Sequence, residues 1–147
     1  MNEPITVRVM IVDDEPGSAE SLRSILLLNR SAREYRFAVE ILTDPDDPAF
    51  LNQLEAFEPH VVLLDIRFGD QTRFGLEELL PKLRGLLEDK ARIIMVTAHR
   101  GADTAQIIEA LGWDASAFLD KRGIESVLVP KVTEAYRSLF PSDGEGA

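Results

Sequence analysis

The chain has 147 residues, 45% of them hydrophobic, and this length fits one domain with a sizeable core. Acidic residues outnumber basic ones by 26 to 16, the net charge is −10 and no Lys/Arg cluster stands out, which argues against nucleic acid as a partner. The sequence has no cysteine, no signal peptide at its N-terminus and no apolar run long enough to span a membrane, so we expect a cytoplasmic protein without a membrane partner.

Five short segments with a β-type pattern recur along the chain. In chain order they are Val7–Val12, Phe37–Ile41, Val61–Leu64, Ile93–Val96 and Ala117–Leu119. The third and fourth are continuous apolar runs, which suit strands that are covered on both faces of a parallel sheet. In the second, apolar residues alternate with other residues, as in a half-buried or edge strand.

Segments of helical period fill the gaps between these strands. Their apolar markers are Leu22, Ile25 and Leu26; Ala49 to Phe57; Leu76, Leu79, Leu80, Leu83, Leu86 and Leu87; Ala105, Ile108 and Leu111; and Leu128, Val132, Ala135, Tyr136 and Leu139. Pro16 suits the start of the first helix, whereas Pro130 predicts a kink in the fifth helix or its true beginning. Fivefold strand–helix alternation predicts an α/β fold with helices on both faces of a parallel sheet. We expect one domain over residues 5–140 and a flexible tail over 141–147.

Polar residues follow several of the predicted strands, where ligands of such sheets bind. These strand-end residues are Asp13-Asp14-Glu15, Asp65, Thr97 and Asp120-Lys121. Clustered carboxylates favour a cation, and an oxygen-only set with room for water and a phosphoryl oxygen suits Mg²⁺. Lys121 adds a positive charge and Thr97 a hydroxyl donor. Together they predict an aspartyl-phosphate site, in which Asp65 attacks phosphorus while the metal and the lysine neutralise developing charge.

Four motifs, in this order and spacing, resemble the receiver domain of bacterial two-component response regulators over about residues 5–140. They are Asp13-Asp14, Val-Val-Leu-Leu-Asp65, Ile-Ile-Met-Val-Thr97-Ala98 and Phe118-Leu119-Asp120-Lys121. The resemblance implies a doubly wound, five-stranded parallel sheet of order 2-1-3-4-5, the flavodoxin-like receiver fold. It also implies a phosphoaspartate switch that is a signalling domain, not an enzyme beyond catalysing its own phosphorylation and dephosphorylation. A histidine kinase, a phosphotransfer protein or a small phosphodonor would supply the phosphoryl group.

The resemblance further assigns the phosphoacceptor and the ligands of Mg²⁺. Asp65 would be the phosphoacceptor. Asp14 and Asp65 would be side-chain metal ligands, Asp13 would act mainly through water, and the backbone carbonyl of Arg67 would complete the protein ligands.

The remaining site residues follow from the same resemblance. Thr97 and Lys121 would bind the phosphoryl group. Phe118 matches the aromatic position whose rotamer reports phosphorylation, although a phenylalanine in a short strand can equally be a core residue. Arg67 and His99 match positions that tune how long the phosphoryl group survives.

Partner binding is expected on the face made by the fourth helix, the fifth strand and the fifth helix, which in this family carries output contacts and dimerisation. Because about ten residues follow the last helix, we expect a stand-alone receiver that acts on a downstream protein or forms a homodimer.

Two departures from the family pattern bear on this behaviour. The loop after Asp65 is longer by two residues, and Lys121 is followed by Arg122 instead of the usual proline, which is often in a cis peptide. A trans bond is the default before Arg122.

Two other functions fit parts of the pattern. A receiver-like protein–protein interaction module that works independently of phosphorylation would explain the unusual loop and the missing proline. A Mg²⁺-dependent phosphohydrolase of the haloacid dehalogenase type would also use an aspartyl-phosphate. Those enzymes place a second acid two residues after the nucleophile, and here that residue is Arg67.

Overall fold

A computed structural model of the chain describes residues 3–13, 15–29, 32–44, 47–65, 81–87, 90–97 and 118–140, and of Thr97 and Phe118 it describes the backbone. Five strands form one parallel sheet in the order β2-β1-β3-β4-β5. Their bounds are Ile5–Val12, Tyr35–Leu42, Val61–Asp65, Arg92–Thr97 and Phe118–Asp120 for β1 to β5. The predicted fold class and the strand order 2-1-3-4-5 are therefore confirmed.

Helices connect the strands. Among the described residues they are α1 (Pro16–Leu27), α2 (Phe50–Phe57), α3 (81–87), a short 3-10 helix (Ile124–Ser126) and the C-terminal helix (Leu128–Leu139). The fourth predicted helix, with the markers Ala105, Ile108 and Leu111, lies outside the described residues. None of the helices that the structure describes is long and apolar enough to cross a bilayer.

Two apolar clusters lie on opposite faces of the sheet, because alternate side chains of a strand point to opposite sides. In β1, Ile11 belongs to the cluster that contains α1 and C-terminal helix residues. Its neighbours Met10 and Val12 belong to the other cluster, with α2 and α3 residues. β1 is therefore covered on both faces, which leaves the ends of the strands for polar side chains.

Both prolines near helix starts lie where a missing N–H costs little. Pro16 is the first residue of α1, as predicted. Pro130 is the third residue of the C-terminal helix, which begins at Leu128. The first four N–H groups of a helix have no partner within the helix, so Pro130 is accommodated in the first turn, and the helix continues to Leu139.

The burial of β1 gives a matched pair of stability predictions. Ile11 is fully buried, whereas Ile5 in the same strand is 45% exposed. Ile11→Val should lower the free energy of unfolding by about 0.5–1.5 kcal/mol, because it removes a buried methyl group and leaves a small cavity. Ile5→Val should change it by less than about 0.5 kcal/mol. Urea titrations of both variants measure the difference, and equal losses would contradict the packing described here.

Candidate functional site

Two acidic side chains meet at the carboxyl edge of the central strands. Asp13 directly follows β1 and Asp65 ends β3, and the pairing of Val12 with Leu64 brings the two positions side by side. Both residues are buried, with 1% of Asp13 and 7% of Asp65 exposed. Unpaired carboxylates are rarely buried, so this pair requires compensation by a positive charge or a proton.

Lys121 provides positive charge from the far end of the chain. It follows β5, and its Nζ lies 3.1 Å from Oδ2 of Asp13 and 3.6 Å from Oδ2 of Asp65. The same Nζ donates a hydrogen bond to Oγ of Ser18 in the first turns of α1. One lysine thus contacts both acids; the strand-end pattern predicted that these residues converge at one edge, but not the contact with Asp13. Two carboxylates and one ammonium still carry a net charge of −1 when all three are ionised.

The environment of Asp13 favours its ionised form. Burial, the largest single influence, would raise the pKa of Asp13. Three hydrogen bonds lower the pKa instead: one from the backbone N–H of Glu15, and one each with the side chains of Ser18 and Asp65. The positive charge of Lys121 lowers it further. Their combined effect holds the pKa of Asp13 below its ordinary value of 3.8.

This lowered pKa predicts a pH-dependent contribution to stability. A carboxyl whose pKa is lower in the folded state stabilises the fold above its unfolded pKa, and the contribution is lost as the pH falls through the folded pKa. The stability difference between the wild type and Asp13→Asn should therefore be constant near neutral pH and shrink as the pH falls below 3.8. Urea unfolding of both proteins across this range tests it, and a difference that persists at low pH would contradict the assignment.

The donor set fits a hard divalent cation. The carboxylates of Asp13 and Asp65 are buried at the ends of adjacent strands and carry more negative charge than Lys121 neutralises. Carboxylate oxygens without nitrogen or sulfur suit Mg²⁺. Among the residues that the structure describes, no three acidic or histidine side chains form a metal-binding group, and the third expected ligand, Asp14, lies outside them.

The structure describes the other predicted site residues only in part. Arg67 and His99, like Asp14, lie outside the described residues. Thr97 ends β4, where its backbone pairs with Asp120, and Phe118 begins β5 opposite Met95. The backbone of Thr97 therefore lies at the same edge of the sheet as Asp13, Asp65 and Lys121. The roles of these residues in phosphoryl binding and switching stay predictions.

Two features of the site were not predicted from the sequence. Ser18 contacts Lys121 from α1. Asp120 accepts a hydrogen bond from the backbone N–H of Arg122, 2.9 Å away, and its carboxylate also contacts the Arg122 guanidinium. The second feature has a sequence signal, because an aspartate often accepts from the N–H two residues further along. The first has none, since a serine in a first helical turn is common for capping alone.

The chain belongs to the response regulator receiver domain family, whose family model matches residues 9–133. Proteins of this family are signalling switches of two-component systems and interact with histidine kinases or phosphotransfer proteins. A search of the curated proteins found no match.

Solved receiver structures share the fold. The CheY-like receiver protein of Methanospirillum hungatei JF-1 is 25% identical, with a TM-score of 0.61, and the alignment covers 90% of this chain and 98% of that one. The receiver domain of DrrB, a protein of Thermotoga maritima, was solved activated by BeF3; it is 20% identical, with a TM-score of 0.61 and coverage of 89% and 97%. The receiver domain of the histidine kinase CKI1 from Arabidopsis thaliana was solved with Mg²⁺ and BeF3⁻; it is 20% identical, with a TM-score of 0.56 and coverage of 86% and 90%.

Proposed function

We propose that this receiver domain is a phosphoaspartate switch whose acceptor is Asp65. The observation that carries the proposal is the position of Asp65, buried at the end of β3 with the Lys121 ammonium 3.6 Å away. A carboxylate oxygen of Asp65 attacks phosphorus and forms a P–O bond, while the bond from phosphorus to the donor's leaving group breaks and that group departs with its electron pair. Attack by water on the resulting acyl phosphate restores the carboxylate and releases phosphate.

The residues around Asp65 have separate tasks in this proposal. When bound, Mg²⁺ supplies positive charge beside the phosphoryl group. Asp14 and Asp65 would hold it directly, Asp13 would act through water, and Arg67 would contribute its backbone carbonyl. Lys121, already beside the acceptor carboxylate, pairs with a phosphoryl oxygen as negative charge builds there.

In this proposal, the phosphoryl group on Asp65 changes the conformation of residues at the neighbouring strand ends. The Thr97 hydroxyl donates to a phosphoryl oxygen, and Phe118 changes rotamer in response. Arg67 and His99 tune the rate at which water reaches phosphorus. These changes alter the face formed by the fourth predicted helix, β5 and the C-terminal helix, where a downstream protein or a second copy of the chain binds.

The phosphoryl donor in this proposal is a histidine kinase or a phosphotransfer protein, and small acyl phosphates serve in vitro because the domain catalyses its own phosphorylation. Residues 5–140 form the receiver and 141–147 a tail. We expect the protein to act in the cytoplasm, where such kinases present their phosphohistidine. The DrrB and CKI1 receivers, solved with BeF3 and in the second case Mg²⁺, support this chemistry by likeness.

The test is incubation of the whole chain with acetyl phosphate and Mg²⁺, followed by intact-mass measurement. We expect a mass gain of one phosphoryl group that requires Mg²⁺, is prevented by chelation with EDTA and is reversed by hydroxylamine, which cleaves acyl phosphates. No mass gain from acetyl phosphate, and none from a set of phosphorylated histidine kinases, would sink the proposal.

The alternative, a module that binds its partner without phosphorylation, rested partly on the missing proline after Lys121. That departure leaves Lys121 in contact with both Asp13 and Asp65, so it does not weaken the phosphorylation chemistry. The alternative predicts that Asp65→Ala binds the downstream partner as the wild type does and that Mg²⁺ affinity is immeasurable.

A further inference from the structure

In the turn that carries Lys121, the side chain of Asp120 accepts a hydrogen bond from the backbone of Arg122, the residue that stands where the family usually has a proline. No peptide bond among the described residues is cis, so the bond from Lys121 to Arg122 is trans. Oδ1 of Asp120 accepts a hydrogen bond from the backbone N–H of Arg122 at 2.9 Å. A proline at position 122 would have no N–H to donate, so this contact exists only because the family's usual residue is absent.

The contact spans Lys121 itself. The bond joins the residue before Lys121 to the residue after it, and so restricts the backbone from which the lysine side chain extends. Gly123 follows with a φ of 69°, in the left-handed region that glycine adopts readily, and leads into the 3-10 helix Ile124–Ser126. Lys121, Arg122 and Gly123 thus connect β5 to the 3-10 helix in a short turn, from which the Lys121 side chain reaches back to Asp13 and Asp65.

The backbone hydrogen bond carries more weight than the ion pair in the same turn. Nη2 of Arg122 lies 2.9 Å from Oδ2 of Asp120, but the Arg122 side chain is 73% exposed and the Asp120 side chain only 16%. Exposed ion pairs contribute little, because water screens them and the long side chain loses freedom. A carboxylate that accepts from a backbone N–H makes a short, charge-assisted bond. The hydrogen bond from the Arg122 backbone N–H to Asp120 should therefore restrict the turn more than the ion pair does.

We infer that Asp120 is a positioning residue for Lys121. Its carboxylate restricts the turn through a hydrogen bond, as a proline ring restricts a turn through its fixed φ, and so keeps the ammonium beside Asp13 and Asp65. The kinetic consequence rests on the proposed function, whereas the coupling between Asp120 and Lys121 exists with or without phosphorylation.

The experiment compares the acetyl phosphate labelling rate of Asp120→Ala, Asp120→Asn and Arg122→Ala in the whole chain with Mg²⁺. Asp120→Ala should label about tenfold more slowly, because small displacements of a charge-stabilising group are costly. Asp120→Asn keeps an oxygen acceptor for the Arg122 N–H and should restore most of the rate. Arg122→Ala keeps the N–H and removes only the exposed guanidinium, so it should label like the wild type.

A double-mutant cycle separates positioning from a general loss of structure. If Asp120 acts through Lys121, Asp120→Ala should cause no further slowing when Lys121 is already alanine. Equal slowing in both backgrounds would overturn the inference, and so would labelling of Asp120→Ala at the wild-type rate. In either case, labelling of the wild type itself supports the proposed function. If the wild type is not labelled, the proposed function fails, and the same cycle in urea unfolding decides the inference: additive effects overturn it and non-additive effects support it.

Discussion

Asp65→Asn should abolish phosphoryl labelling by acetyl phosphate. The amide has nearly the shape of the carboxylate but lacks its negative charge, so it is a poor nucleophile and yields no stable acyl phosphate. The substitution also replaces a charged carboxylate that we propose as a Mg²⁺ ligand with a neutral amide. Intact-mass measurement at a fixed time reads out the loss.

Asp44→Asn is the matched control for this result. Asp44 is also an aspartate that follows a strand, since β2 ends at Leu42, but it is exposed where Asp65 is buried. It should label at the wild-type rate. Labelling of Asp65→Asn to the wild-type level would place the acceptor elsewhere, and circular dichroism of both variants checks that neither loses its fold.

Lys121→Ala should slow labelling by about 10²–10³-fold at saturating Mg²⁺, the scale on which loss of one preorganised charge-stabilising group acts. Its Nζ lies between the Asp13 and Asp65 carboxylates, with 19% of the side chain exposed. A donor in such a poorly hydrated position stabilises developing charge more strongly than it would in water. The initial rate of mass gain measures the effect.

Lys131→Ala provides the control for removing a lysine. Lys131 lies on the C-terminal helix, is 36% exposed and pairs with Glu134 at 3.6 Å. Exposed pairs of this kind contribute little, so its labelling rate should match the wild type. Equal rates for Lys121→Ala and the wild type would show that the ammonium has no part in phosphoryl transfer.

The strands could be read from the sequence because the apolar pattern is strong, whereas the order of the sheet follows from the resemblance of the strand-end motifs to receiver domains. The run at Val61–Leu64 is buried throughout, as its continuous apolar character predicted. The same logic placed Asp13, Asp65 and Lys121 at one edge, since parallel strands end on the same side. Topology brings these residues to one edge, but the contact between Lys121 and Asp13 also depends on the reach of the lysine side chain, because β3 and β4 lie between β1 and β5.

Details that depend on side-chain conformation were harder to predict. The sequence left open whether Pro130 kinks the last helix or starts it, and the answer depends on where the 3-10 turn ends. The contacts of His60, which directly precedes β3, had no sequence signal: its Nδ1 accepts the backbone N–H of Arg8 and its ring lies 4.9 Å from that of Tyr136. The His60 contacts depend on neighbours that are distant in the chain, and periodicity within one segment cannot reveal them.

The contact between Lys121 and Asp13 joins residues 108 positions apart in the chain. During synthesis at about 5–20 residues per second, Asp13 leaves the ribosome's active centre roughly 5–20 s before Lys121 is added. Asp65 is added about midway through that interval, and from then on the two acids lack the ammonium that compensates them. The nascent chain therefore completes its acceptor site only after β5 docks at the edge of the sheet, so a chain interrupted before Lys121 should be unable to take phosphate from a kinase.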